Sequence, residues 1–271
     1  MFETTLLTTF FALGATIAWG SGDFSGGLAV KRHNVYSVLL AAQLISFIPL
    51  LLLVLSFEFI VPQTADLLLG GLGGVCSMIG LLNLYTGLAR GRMSIVAPLA
   101  AITASVIPVL IGILSDGPPT TVQSIGFIIA LVAVWFLSSD GQRLEATAIE
   151  LRFAIISGVG FAAFYVAIDR VSGDTALWPV LAARVASLIA LSLYTISRRK
   201  WHTPTRSLLP LIALVGLLDT AGNYFFTMAT QVGRLDVATI VSSLYPAITI
   251  MLAWLILKER YFEATFNNQE Q

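Results

Sequence analysis

An all-α polytopic membrane fold made of two inverted five-helix repeats is predicted by three observations on the sequence. The first is composition: of 271 residues, 57% are hydrophobic and 11% charged, and the mean hydropathy is +0.88. That leaves too little polar surface to cover a water-soluble globule of this length. The second is a repeat. Gly91-Arg92-Met93-Ser94-Ile95-Val96-Ala97 returns 142 positions later as Gly233-Arg234-Leu235-Asp236-Val237-Ala238-Thr239, each time between long apolar runs. The third is the number of spans per copy: with an odd number, the second copy enters the bilayer upside down relative to the first.

Taken in order, nine apolar runs approach the roughly 20 residues that a helix needs to cross about 30 Å of hydrocarbon. The sequence predicts them at 6–26, 35–56, 66–88, 93–114, 121–138, 151–169, 175–196, 207–228 and 236–257. No basic residue precedes the first run, and it is too long for the apolar core of a secretory signal, so it reads as a retained span. The connectors are short, and only 139–150 and 197–206 carry much polar content. The first of these is the seam, giving a first repeat over 1–139 and a second over 140–271. The same offset lays Val38-Leu39 on Val180-Leu181 and Ala101-Ile102 on Ser243-Leu244. A fifth run of the second copy is expected near 263, but 261–271 is polar, so nine helices are visible and the tenth is missing. Proline interrupts matching runs, as Pro98 and Pro108 in the fourth and Pro246 in the ninth, and each frees the carbonyl four residues back.

Charge and side-chain chemistry narrow the function classes. Fifteen basic and fifteen acidic residues cancel, which argues against a nucleic-acid partner. Cys76 is the single cysteine and lies in an apolar run, while His33 and His202 fall in polar connectors, so neither disulfides nor a metal site is expected. Gly20-Ser21-Gly22-Asp23 follows no strand and lacks the lysine of a phosphate loop, so no nucleotide or other cofactor is expected. The sequence shows no paired carboxylates on one face, no His-Glu zinc motif and no activated serine, so an enzyme is not expected either. Twelve basic residues fall at one set of alternate helix ends, Lys31, Arg32, Arg90, Arg92, Arg143, Arg152, Arg198, Arg199, Lys200, Arg206, Lys258 and Arg260; only Arg170 and Arg234 fall at the other. The charge bias therefore predicts an N-terminus outside the cytoplasm.

Three motifs carry a family resemblance: Ala18-Trp19-Gly20-Ser21-Gly22-Asp23-Phe24, Gly91 through Pro98, and Leu244-Tyr245-Pro246-Ala247 through Trp254 to Lys258-Glu259-Arg260. With the five-plus-five plan, the chain resembles the EamA-type branch of the drug/metabolite transporter superfamily. The resemblance covers nearly the whole chain. It implies a ten-helix inverted-repeat carrier in the plasma membrane, with a cavity lined by helices one to four and six to nine. It also implies two cytoplasmic termini, against the charge bias, and export of a small organic metabolite such as an amino acid, sugar or drug-like compound. The expected partners are the lipid bilayer and that metabolite, and a homo-oligomer is compatible with the plan. The rival reading is a truncated or partner-dependent nine-helix protein without transport activity of its own.

Ionised side chains inside a span are costly and normally face protein or water. Arg184 lies about 14 Å into run seven and Asp219 about 18 Å into run eight from the opposite face, at 1.5 Å per residue. Their matching depth predicts an intramembrane pair, serving either as a helix lock or as a substrate site. Trp19, Gln43, Asn83, Tyr85, Asn223 and Tyr245 are the further candidates for a substrate lining, with helix-to-helix hydrogen bonding as the alternative for the polar ones. Tyr165 of run six joins that polar set. Asp23, near the end of run one among glycines, and Asp169 in run six are the candidates for gating or proton coupling. Gly22 and Gly26, four residues apart, have the spacing of a helix-packing face.

Overall fold

Long helices form wherever the sequence offers an unbroken apolar run with an end that satisfies its first N–H groups. The computed structural model describes residues 2–58, 60–90, 93–138, 147–172 and 175–257. Most of the predicted seam and the polar tail lie outside the described residues, as do Gly91 and Arg92. The helices are α1 (Phe2–Arg32), α2 (Val35–Phe57), α3 (Thr64–Arg90), α4 (Met93–Asp116), α5 (Thr121–Ser138), α6 (Ala148–Asp169), α7 (Leu177–Ser197), α8 (Leu209–Val232), α9 (Leu235–Ser242) and α10 (Tyr245–Leu257). Asn34 starts α2 by accepting the Tyr36 N–H at 2.8 Å. Thr147 and Glu150 form a reciprocal capping box at the start of α6.

The boundaries follow the apolar runs, with two departures. By length and composition, seven stretches among the described residues can cross a membrane. Helix α1 is not one of them. In α1, 31 residues long, threonines, serines and glycines dilute the hydropathy, although Thr8, Thr9, Thr16 and Ser25 each return their hydroxyl to the carbonyl four residues back. Helix α5, Thr121–Ser138, coincides with its predicted run. The fourth run stays one helix through Pro98 and Pro108, whereas the ninth breaks into α9 and α10 just ahead of Pro246, which cannot donate to the Ser242 carbonyl. The matched interruption expected of both runs is therefore present in one.

Large apolar side chains face outward on nearly every helix, including Phe10, Ile17, Ile48, Leu68, Leu110, Leu193 and Leu255, while Asp23, Gln43, Arg184, Ser187 and Asn223 are buried. That distribution suits a hydrocarbon surround, where polar groups must be satisfied within the protein. The packing pattern follows the repeat. Helix α1 lies mainly on α8 as α3 lies on α6; α3 lies on α7 as α2 lies on α8; α4 lies on α6 as α9 and α10 lie on α1; and α2 meets α7. Exchanging each helix for its counterpart 142 positions away turns this set of neighbours into itself. Counterparts also run in opposite directions. The end of α2 meets the start of α7, where the Leu177 N–H reaches Glu58, and the end of α4 meets the start of α9, where Arg234 reaches the Gly117 carbonyl.

Two glycines 142 positions apart set the closest of these approaches. A Cβ on Gly74 of α3 would overlap backbone atoms of Ala183 on α7, and one on Gly216 of α8 would overlap the Ala42 carbonyl on α2. Gly74→Val and Gly216→Val are each expected to destabilise the bundle by about 1–3 kcal/mol or more, since backbone cannot swing aside as a side chain can. Gly126→Ala, at an α5 site with open space around it, is expected to be neutral or stabilising by up to about 1 kcal/mol. Thermal unfolding of the three variants in detergent checks this ordering.

Candidate functional site

The helices that pair across the two copies enclose a cavity near their middles. It is lined by Trp19 and Asp23 of α1, Ser77 and Leu81 of α3, Phe161, Phe164 and Tyr165 of α6, Asp219 and Asn223 of α8, and Tyr245 of α10. Eight of these ten residues form four couples separated by the same 142 positions: Trp19 with Phe161, Asp23 with Tyr165, Ser77 with Asp219, and Leu81 with Asn223. Most of the cavity wall is therefore built by residues related through the 142-position offset. Gly80 and Gly222 repeat the relation, with Gly80 lying under the Phe161 ring and Gly222 under Trp19. The cavity volume is ≈ 20 Å³, room for one or two water molecules. A second cavity of ≈ 10 Å³ adjoins it, lined among others by Gln43, Arg184 and Ser187.

The charged pair expected from depth meets at the wall between the two cavities. Arg184 Nη2 donates to Asp219 Oδ2 at 2.7 Å and to Thr220 Oγ1 at 2.6 Å. The Arg184 side chain is 3% exposed and that of Asp219 13%, so the pair is hardly screened. Arg184 Nε has no partner, which leaves one donor of the guanidinium facing inward. Gln43 accepts from Ser187 Oγ at 2.9 Å. Trp19 Nε1 donates to Asn223 Oδ1 at 3.1 Å, and the indole stacks on Tyr165 with ring centroids 5.6 Å apart. The Tyr245 hydroxyl is buried without a hydrogen-bond partner.

Asp23 reaches the cavity because its neighbours lack side chains. Gly26 leaves room for the Tyr85 ring, and Gly22 faces α8. Tyr85 is buried behind the cavity, with its hydroxyl 3.4 Å from the Gly22 carbonyl and beside the Asp23 carboxylate. The remaining candidates stand apart. Asn83 donates to the Ile79 carbonyl of its own helix at 2.8 Å, and Asp169, the last residue of α6, lies 3.8 Å from Arg170. Ser77, Phe161, Phe164 and Thr220 were not anticipated. The 142-residue offset could have found two of them, because Ser77 is the counterpart of Asp219 and Phe161 that of Trp19.

Both ends of the α2–α7 pair are closed by contacts at equivalent positions. At one end Glu58 accepts the N–H groups of Ala176, Leu177 and Trp178 at 2.9, 2.8 and 3.1 Å, capping α7 across the copies. Trp178 Nε1 also donates to the Glu58 carbonyl at 3.2 Å. At the other end Lys200, the counterpart of Glu58, donates to the hydroxyl of Tyr36, the counterpart of Trp178, at 3.0 Å. Its Nζ lies 4.2 Å from the Tyr36 ring centroid. The hydrogen bond to Tyr36 holds the Lys200 ammonium above its usual pKa, so this closure is charged at neutral pH.

Residues 149–263 match the family model described as EamA: EamA-like transporter family. This part of the chain is similar to EamA-like transporters. The EamA match spans α6 to α10, and so includes Arg184, Asp219, Asn223 and Tyr245. A solved structure described as "Crystal structure of protein" is similar in fold, with a TM-score of 0.70 at 16% identity over 92% of this chain and 89% of that one. No curated protein matches the sequence.

Removing one member of the Arg184–Asp219 pair strands the other charge in the helix bundle. Arg184→Met is expected to cost about 3–5 kcal/mol, and Arg184→Met with Asp219→Leu to recover most of that loss. Melting temperatures in detergent test this; single variants that melt with the wild type would show that the pair does not hold α7 to α8.

Proposed function

We propose that this protein is a secondary-active carrier that moves a small organic metabolite (an amino acid, a sugar or a drug-like compound) out across the plasma membrane by alternating access. In this reading 1–139 and 140–271 are inverted repeats, and the cavity between them is the substrate site. The observation that supports it best is the pair of equivalent closures: Glu58 on α7 at one end, Lys200 on α2 at the other, with the cavity between them. A chamber this small, with α2 and α7 tied together at both ends, fits an occluded form. Opening one closure while the other holds would expose the site to one side at a time.

Arg184 and Asp219 would fix a polar group of the metabolite, with Trp19, Asn223, Tyr245 and Gln43 completing the contact as the helices part. Asp23 is the candidate for proton coupling, since a buried carboxylate gains or loses a proton at small cost compared with carrying a bare charge in a low-dielectric interior. Export rests on the family alone.

Alternating access is tested by the reactivity of the S77C thiol, in a chain also carrying Cys76→Ser, towards an impermeant maleimide applied from either side of a vesicle. Glu58→Ala is expected to raise labelling several-fold from the side bearing residues 60–63, and Lys200→Ala from the opposite side. Both variants acting from the same side, or neither acting, would contradict the mechanism.

A further inference from the structure

We propose that the cavity selects an organic cation, an amine or ammonium group on an aromatic or apolar body; this rests on reading the cavity as a substrate site. Two carboxylates, Asp23 and Asp219, lie on its wall with five aromatic side chains, Trp19, Phe161, Phe164, Tyr165 and Tyr245, and no lysine, arginine or histidine is among its lining residues. The nearest cation, Arg184, is engaged by Asp219 Oδ2 and Thr220 from the adjoining cavity. With all three groups ionised, Asp23, Asp219 and Arg184 leave one negative charge over. The repeat does not cancel it, because the counterparts of Asp23 and Asp219 are the neutral Tyr165 and Ser77.

The groups facing Asp23 from the surrounding helices are Asp219 on α8, Tyr85 on α3, Tyr165 on α6 and Tyr245 on α10. All are acidic or neutral. An anion entering the cavity would meet two carboxylates in a medium that screens little. A neutral polyol would find its most evident amide, Asn223, already bonded to Trp19. A cation would draw Asp23 into its ionised form in place of the proton, and it meets the ring faces of Trp19 and Tyr165, which stack 5.6 Å apart and draw positive charge through their quadrupoles. The Tyr245 hydroxyl, buried to 2% exposure and without a partner, is free to accept a hydrogen bond from an amine.

The test holds the aromatic body constant and varies the charge. Equilibrium dialysis of the purified full chain in detergent is run with N,N,N-trimethyltryptammonium, with neutral tryptophol and with indole-3-acetate. The cation is expected to bind at least about tenfold more tightly than either of the others. Asp23→Asn, nearly isosteric, is expected to abolish the preference, and Asp23→Glu to keep it, which separates charge from packing. Equal binding of the three probes, preference for the anion, binding of none of them, or a preference that survives Asp23→Asn would each overturn the inference. Because binding is read without transport, failure here leaves the carrier reading to the labelling of the S77C thiol, and failure there leaves a cation site that does not transport.

Discussion

A guanidinium at mid-membrane depth must have an anion beside it, and in this protein that requirement joins α7 to α8. Arg184 and Asp219 approach from opposite faces on antiparallel helices, and they meet at 2.7 Å only because each is about half-way along its span. The same constraint governs the rest of the interior. Threonine and serine hydroxyls turn back to their own helix carbonyls, and Trp19 finds Asn223. Among the buried polar groups that escape this pairing, Arg184 Nε and the Tyr245 hydroxyl border the two central cavities. These two groups equip the cavities to bind something polar.

The 142-residue offset relates the residues that line the cavities, and the differences between related positions make the cavities uneven. Glycines at related positions, Gly74 and Gly216, bring α3 onto α7 and α8 onto α2 at backbone contact, and the related rings of Trp19 and Phe161 both line the main cavity. Divergence then acts on a symmetric frame. One copy supplies Asp23 where the other supplies Tyr165, and one end of the α2–α7 pair is closed by a carboxylate on a helix N-terminus while the other is closed by an ammonium on a tyrosine. Near-equivalent architecture with unlike chemistry at the two ends gives each closure its own energy. In a carrier this lets one side open without the other.

Much of this was legible in the sequence, because hydropathy and the 142-residue offset are properties of segments. The start of α2 and both ends of α5 fall where the apolar runs place them, and the Arg184–Asp219 contact follows from depth alone. What was not legible depends on side-chain direction or on partners distant in the chain. Glu58 reads as a solvated connector carboxylate until α7 arrives above it. Asn83 is polar and deep enough, yet its amide is satisfied by the Ile79 carbonyl one turn back. Pro98 and Pro108 suggest a broken helix, but α4 continues through them, and only the run containing Pro246 splits.

The account turns on two closures that open in alternation around one cavity. The most direct measurement is a pair of spin-label distances in lipid nanodiscs, with Cys76 replaced: one between the exposed positions Gln63 and Arg170 at the Glu58 end, the other between Lys31 and Trp201 at the Lys200 end. Alternating access predicts that each pair samples a short and a longer distance, and that substitution of Glu58 lengthens the first while the second stays short. Two distances that lengthen together, or that remain single and unchanged when Glu58 or Lys200 is replaced, would contradict it.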